Sequence, residues 1–372
     1  MFTELIITGF SIGLYAMVIL SFANGWRKLE NFHVSENSTE DVFVTVLVPF
    51  RNEKENLKRL TEKLKSQNYA NSKYEIILIN DHSEDDSEKQ LNKQTHDNLT
   101  LLNLNSNEKG KKEALIKGFR HAKGELILTT DADCIPGENW IRTFAAYYKK
   151  HHPDLMASFV AIDEKKGLLK RAEALEFLSL IASSAGSIGM NKPIMVNGAN
   201  FAYAKRIINY PEQQLKSEKA SGDDIYLLLG QKKFSKKKIH FIKSREAMVK
   251  TRAQSGIKKL ISQRKRWASK TKTYRDKDII LTALSVFFLN LILLISLISG
   301  LFKPFFLIIF TTGLLLKTII DLVLLIPFLK FLNKKHLLHY FPVAQLIYPF
   351  YSVIIGFISQ FTKFNWKGRT YS

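Results

Sequence analysis

The sequence predicts an α/β domain on a mainly parallel sheet, with an apolar helix before it and an apolar helical region behind it. Three observations lead there. Short β-branched runs alternate with charged helical stretches over residues 42–162, three of those runs end in carboxylates or amides, and uncharged apolar runs flank the whole.

The 372 residues carry 55 Lys+Arg and 34 Asp+Glu, a net charge of +21, and one cysteine, Cys134. A lone cysteine excludes a disulfide framework and a multi-cysteine zinc site. The charge is unevenly placed. Residues 1–230 hold 29 bases and 30 acids, residues 231–278 hold 18 and 3, and residues 279–372 hold 8 and 1. A basic block first suggests nucleic acid, because Lys and Arg neutralise phosphates. This one abuts the uncharged run Ile279–Phe302, whose 24 residues can span a hydrocarbon core of about 30 Å as a helix. A basic flank beside a span suits the positive-inside bias and anionic headgroups. The expected partner of the block is therefore anionic membrane lipid, and no nucleic acid.

Along the chain, Leu5–Phe22 is 18 residues without a charge. Glu4 stands where a signal peptide would be basic, and no small-x-small cleavage site follows, so residues 1–24 are expected to be an uncleaved transmembrane anchor. Val42–Pro49 reads as a buried strand, followed by a charged helix from about Glu53 to Gln67. Tyr74–Asn80, a polar helix, Leu99–Leu104, a helix through Ala114–Ala122 and Glu125–Thr130 continue the alternation, which implies right-handed βαβ units. The α/β domain is expected over 42–250, and a basic interface segment over 251–278, with a helix from about Gly256 to Tyr274.

Residues 279–372 then hold about three transmembrane or re-entrant segments. These are Ile279–Phe302, Pro304–Leu316 continuing into Leu322–Leu329, and Leu337–Thr362, which Pro342 and Pro349 are expected to kink. Lys317 and Asp321 are four apart on one helical face and are expected to pair inside a bundle. Three full rear crossings, with residues 23–278 cytoplasmic, would leave Lys363, Lys367 and Arg369 outside, against the bias. One rear segment is therefore expected not to cross fully.

In parallel sheets ligands bind beyond the carboxyl ends of the strands. There stand Arg51, Asn52 and Glu53, then Asp81, His82 and Ser83, then Asp131 and Asp133. Asp85, Asp86 and Glu88 read as caps of the next helix. No Walker A or G-x-G-x-x-G stretch occurs, against a P-loop enzyme or a dinucleotide dehydrogenase. The carboxylates of Asp131-Ala132-Asp133 can share a hard divalent cation, Mg²⁺ or Mn²⁺, which also coordinates diphosphate. Lys109-Gly110-Lys111-Lys112 opens a helix and suits either an anion or a solvated turn. Asp223 and Asp224 follow Gly222, where a carboxylate can be a general base or a helix cap. Gln263, Arg266 and Trp267 share one helix face; Trp can stack on a sugar and Arg can fork onto phosphate.

This ordered set, Val48-Pro49-Phe50-Arg51-Asn52-Glu53, Asn80-Asp81-His82-Ser83, Gly110-Lys111, Asp131-Ala132-Asp133, Gly222-Asp223-Asp224 and Gln263-x-x-Arg266-Trp267, resembles the family 2 glycosyltransferases over residues 42–275. These are inverting, metal-dependent enzymes of GT-A fold, Rossmann-like, that use nucleotide-sugar donors. The flanking spans resemble the membrane-integrated branch. The resemblance implies that Pro49, Arg51, Asn52, Glu53, Asp81, Lys111 or Lys112, and Asp131 bind the nucleotide sugar, and that Asp131 and Asp133 hold the metal. It implies Asp224 as base, with Asp223 and Arg266 also in the catalytic set. Asn197, Gly198 and Asn200, in a loop resembling the acceptor side, and Gln263 and Trp267 would meet the acceptor. Asp81-His82 departs mildly from the commoner Asp-Asp.

The expected activity is hexosyl or N-acetylhexosaminyl transfer, with a UDP-sugar favoured over a GDP-sugar, to a lipid or glycan acceptor at the cytoplasmic face of a bacterial inner membrane. Few spans favour transfer without independent translocation, whereas Q-x-x-R-W leans toward a processive polysaccharide synthase. A non-catalytic membrane scaffold or transporter subunit would explain the apolar segments but not the polar clusters at three strand ends.

Overall fold

The computed structural model describes residues 2–35, 41–92, 98–163, 167–208, 222–269, 274–358, 364–366 and 369–371. Two compact units emerge, one from residues 29–163 and 195–252, the other from residues 1–28, 164–194 and 253–372.

The first unit is the α/β domain. Its early elements are β1 (Val44–Phe50), α2 (Lys54–Lys65), β2 (Tyr74–Asn80), α3 (Ser87–Asn92), β3 (Leu99–Asn103), α4 (Lys111–His121) and β4 (Leu126–Thr129). There follow β5 (Ile135–Pro136), α5 (Trp140–His151), β6 (Leu155–Ala157), β7 (Val160–Asp163), β8 (Phe201–Ala204), α7 (Asp223–Phe234), β9 (Ile239–Phe241) and β10 (Val249–Arg252). The main sheet runs β3-β2-β1-β4-β8-β6-β9 and a smaller one β5-β10-β7. Strands β3, β2, β1 and β4 are mutually parallel, and β8 runs antiparallel between β4 and β6. Strand β1 is apolar on both faces because helices cover it; Val44, Val46, Leu47 and Val48 are fully buried. Helix α2 turns Leu57, Leu60 and Leu64 inward at a helical period and leaves its lysines in water. The chain reverses direction in sheet order between β2 and β4 around β1, which opens a crevice at their carboxyl ends.

The second unit holds α1 (Phe2–Lys28), α6 (Leu168–Gly189), α8 (Ile257–Ser269), α9 (Lys277–Gly300), α10 (Phe305–Phe331), α11 (Phe341–Ile358) and the short pair β11 (Phe364–Trp366) and β12 (Arg369–Tyr371). Among the described residues four helical spans are long and apolar enough to cross a membrane: Thr3–Lys28, Lys277–Gly300, Phe305–Phe331 and Lys335–Ile358. Pro349 lies inside α11. Lys363 and Lys367, on which the topology argument turned, lie outside the described residues.

Lys317 and Asp321 pair as expected, Nζ to Oδ2 at 2.8 Å. Their network is wider than the sequence implied. Gln345 of α11 donates to Asp321 (2.6 Å) and accepts from Lys317 (2.8 Å), and Tyr15 of α1 donates to the other Asp321 oxygen (2.5 Å). A charge pair in hydrocarbon is tolerable only when so enclosed.

One boundary differs from the sequence reading. The expected single domain over 42–250 is interrupted, because residues 164–194 belong with the apolar helices. Helix α6 packs on α1 through glycine. A Cβ on Gly25 would run into the Gly186 carbonyl oxygen, one on Gly186 into that of Phe22, and one on Gly189 into that of Gly25. Without side chains there, two backbones meet directly.

Candidate active site

The carboxyl end of β1 is laced to that of β2. Arg51 Nη1 donates to the carbonyls of Asp81 and His82, both at 3.0 Å, and Nη2 to Glu84 at 2.9 Å. Asn52, at φ 52°, gives its N–H to Ser83 Oγ and accepts from Glu84 N–H, and Glu53 N–H donates to Ser87 Oγ. Asp85 caps α3 through Ser87 N–H, as the sequence suggested. Arg51, Asn52 and Glu53 therefore shape the crevice wall, while Asp81, 3% exposed, sits on its floor beside the His82 ring at 3.2 Å.

Strand β4 delivers the D-x-D. It leaves the sheet in a turn closed by Cys134 N–H to Asp131 O at 3.0 Å. Asp131 and Asp133 are half-buried while Ala132 and Cys134 are buried, so the two carboxylates share the open side. Thr251 on β10 approaches Asp133 Oδ2 at 3.5 Å. Burial, and then the charges of Asp133 and Asp131, push the Cys134 thiol pKa far up, which keeps it protonated. The available donors are thus hard oxygens with no competing thiolate, which fits Mg²⁺ or Mn²⁺. Among the described residues no three His, Cys, Asp or Glu side chains are placed to hold a metal ion together. A cation here would complete its shell with water or ligand oxygens.

Helix α4 brings in the lysines. Gly110 caps it at φ 96°, a region closed to most side chains, and the next residue is Lys111. Lys111 Nζ donates to Asp131 Oδ1 at 2.6 Å, whereas Lys112 Nζ lies 4.9 Å over the Tyr226 ring. Adjacent helical residues point about 100° apart. The structure thereby separates two lysines that the sequence left equivalent. Burial alone disfavours the Lys111 ammonium, but Asp131, Asp223 and Asp224 outweigh it and hold its pKa well above the ordinary value.

Asp223 and Asp224 open α7 after Gly222, whose φ is 107°. Asp223 is buried and Asp224 half-buried, so Asp224 is the more accessible. Its Oδ2 accepts from Gly198 N–H at 3.0 Å and its Oδ1 from Ile225 N–H at 2.8 Å, which fix the carboxylate plane. The loop carrying Gly198 is held in turn by two hydroxyls that no sequence motif singles out. Thr129 donates to Gly198 O at 3.1 Å and Thr130 to Ala199 O at 2.9 Å.

Asn197 caps that turn by accepting from Ala199 N–H. Asn200, expected on the acceptor side, lies in the core beneath that turn. It is fully buried, donates to Phe159 O and Ala247 O, and accepts from Trp140 Nε1. Both amide N–H groups and one acceptor position of Oδ1 thus serve the core, so Asn200 braces the loop.

Gln263, Arg266 and Trp267 lie on α8, in the other unit. The described part of helix α8 runs to Ser269, and residues 270–273, over which the sequence reading carries it toward Tyr274, lie outside the described residues.

The family model for glycosyl transferase family 2 matches residues 45–209. The undecaprenyl-phosphate 4-deoxy-4-formamido-L-arabinose transferase of Proteus mirabilis is 37% identical over 93 residues, 24% of this chain and 28% of that protein. The dolichol-phosphate mannosyltransferase of Saccharomyces cerevisiae is 36% identical over 93 residues, 24% of this chain and 34% of that one. The chain thus spans only about a third of the length of such relatives. The solved mannosyltransferase PcManGT from Pyrobaculum calidifontis, in complex with GDP-Man and Mn²⁺, superposes with a TM-score of 0.56 over 94% of this chain and 99% of that one. At 16% identity that likeness concerns the fold. With crevice, D-x-D and family match in agreement, residues 45–209 are a glycosyl transferase family 2 domain of GT-A fold, carried here in a chain with four candidate membrane helices among its described residues.

Proposed function

We propose that the protein is an inverting glycosyltransferase that moves a sugar from a nucleoside-diphosphate sugar to a membrane lipid phosphate or lipid-linked glycan at the cytoplasmic face. One observation carries this: Asp131, Lys111 and Asp224 are brought together around Gly198, at the edge of the sheet where ligands of such folds bind. The floor around Asp81 would take the nucleoside. Asp131 and Asp133 would hold a divalent cation, which supplies charge neutralisation to the departing diphosphate when bound. Asp224, held in plane by Gly198 and Ile225 N–H, would take the proton of a glycan hydroxyl as it attacks the anomeric carbon opposite the leaving group; a lipid phosphate, already ionised, would attack without that proton transfer. Gln263, Arg266 and Trp267 are assigned to acceptor and diphosphate by their motif.

Two relatives bear names that specify lipid-phosphate acceptors, which supports that acceptor class. The Q-x-x-R-W motif favours a second reading, processive elongation of a polysaccharide. Incubating the detergent-purified protein with UDP- and GDP-sugars, Mn²⁺ or Mg²⁺ and a polyprenyl phosphate distinguishes these. Nucleotide release with one added sugar supports lipid transfer, and a ladder of product masses supports the processive reading. Failure to bind any nucleoside diphosphate with metal would leave a non-catalytic membrane scaffold.

A further inference from the structure

Lys111 stands between the carboxylates to which the reaction is assigned. Its Nζ is 2.6 Å from Asp131 Oδ1, and a Cβ placed on Gly198 would lie 3.5 Å from that Nζ and 3.4 Å from Asp224 Oδ2. Its side chain is 20% exposed, against 40% for Asp131, so the contact is partly withdrawn from water. The backbone of Lys111 is fixed by the helix, but the ammonium rides on a flexible four-carbon stem.

We propose that Lys111 is an internal counter-ion, occupying at Asp131 the charge position of the divalent cation and releasing that carboxylate only when cation and nucleoside diphosphate arrive together. The inference rests on the nucleotide-sugar reading and adds an order of events to it. A cation arriving alone must break a partly desolvated ion pair to reach its ligand oxygen, and it leaves the ammonium close to its own charge. A diphosphate arriving with it offers the ammonium a new anion within the swing of the side chain. The lysine then passes from the metal ligand to the leaving group, and no net charge is stranded in the crevice.

The test is Mn²⁺ binding to the full-length protein in detergent, read as loss of the free-ion electron paramagnetic resonance signal. It is run with no nucleotide, with UDP and with GDP, against nucleotide-only blanks. Wild type and Lys111→Arg should bind Mn²⁺ weakly alone and much more tightly with a nucleotide. Lys111→Gln and Lys111→Met should bind Mn²⁺ alone about tenfold tighter than wild type or more, and lose most of the gain from nucleotide. If both neutral variants bind Mn²⁺ alone no tighter than a wild type that still responds to nucleotide, the counter-ion role is overturned and the glycosyltransferase reading stands. If neither nucleotide brings Mn²⁺ onto wild type, both fall. Circular dichroism identifies a variant that has not folded, and the other neutral variant then decides.

Discussion

Arg264 on α8, which is buried, and Glu176 on α6, which is half-buried, form an ion pair in which Nε of the guanidinium lies 3.1 Å from both carboxylate oxygens. The guanidinium also packs 4.3 Å from the centre of the Trp267 ring and donates to Gln263 Oε1 at 2.5 Å, while Phe177 of α6 contacts that tryptophan. Two residues of the Q-x-x-R-W motif are thus fastened to α6 through a third that the motif does not specify. The sequence reading gave most bases of this segment to the membrane surface. Arg264, 4% exposed, is instead part of the interior.

Removing one partner leaves the other charge at least half-buried. Glu176→Gln or Arg264→Met alone should destabilise the detergent-solubilised protein by about 3 kcal/mol, and the double variant should recover part of that loss. Thermal unfolding of the three variants measures it. Additive losses would show that the pair is not coupled.

With an acceptor that attacks through a hydroxyl, Asp224→Asn should lower turnover by about a hundredfold or more while leaving affinity for the nucleoside diphosphate nearly unchanged, since the proton acceptor is lost but not the donor pocket. Product formation and nucleotide titration on the same preparation separate the two effects. Undiminished turnover removes Asp224 from the base role.

Glu108 predicts an acid limb in the stability profile. Its carboxylate accepts from Asn105 N–H at 2.9 Å, and Lys117 lies 3.3 Å away. The backbone hydrogen bond from Asn105, joined by Lys117, outweighs the opposing effect of burial and lowers its pKa below 4.5. A depressed carboxyl pKa contributes stability that is present above the unfolded value and lost as pH falls through the folded one. Melting curves of wild type and Glu108→Gln should therefore differ at pH 6 and converge as the pH falls through the folded pKa of Glu108. A gap that stays constant with pH would exclude ionisation as its source.

The glycine contact between α1 and α6 has an internal control. Gly25→Ala and Gly186→Ala each drive a methyl into a facing carbonyl and should lower thermal stability by about 2 kcal/mol or more. Gly9→Ala and Gly13→Ala, on the same α1, meet nothing within 4 Å and should be neutral or slightly stabilising. Equal effects at all four positions would contradict the packing.

The parallel strands were legible because burial on both faces leaves little choice of residue. Tyr74–Asn80 was read with the bounds it has in the fold, and Asp81, Asp131 and Asp224 stand at the ends of elements that local pattern predicts. The rest depended on partners distant in sequence. Helix α6 is built of small and apolar residues around much of its surface, so nothing local in its sequence separates it from the α/β domain on either side; its partner α1 lies about 140 residues earlier. Asn200 looked ligand-facing in a Gly-Asn loop, and only Trp140, Phe159 and Ala247, from three separate segments, absorb its amide. The choice between Lys111 and Lys112 needed the phase of α4, which a run of lysines does not disclose.

The glycine seam also dictates a timetable. Gly25 leaves the ribosome about 160 residues before Gly186, which at about 5–20 residues per second is an interval of roughly ten to thirty seconds. Throughout it α1 has emerged without its helical partner, and the whole first βα half of the α/β domain is synthesised before that partner exists. Biogenesis, rather than chemistry, is then the step most exposed to a slowed or interrupted translation.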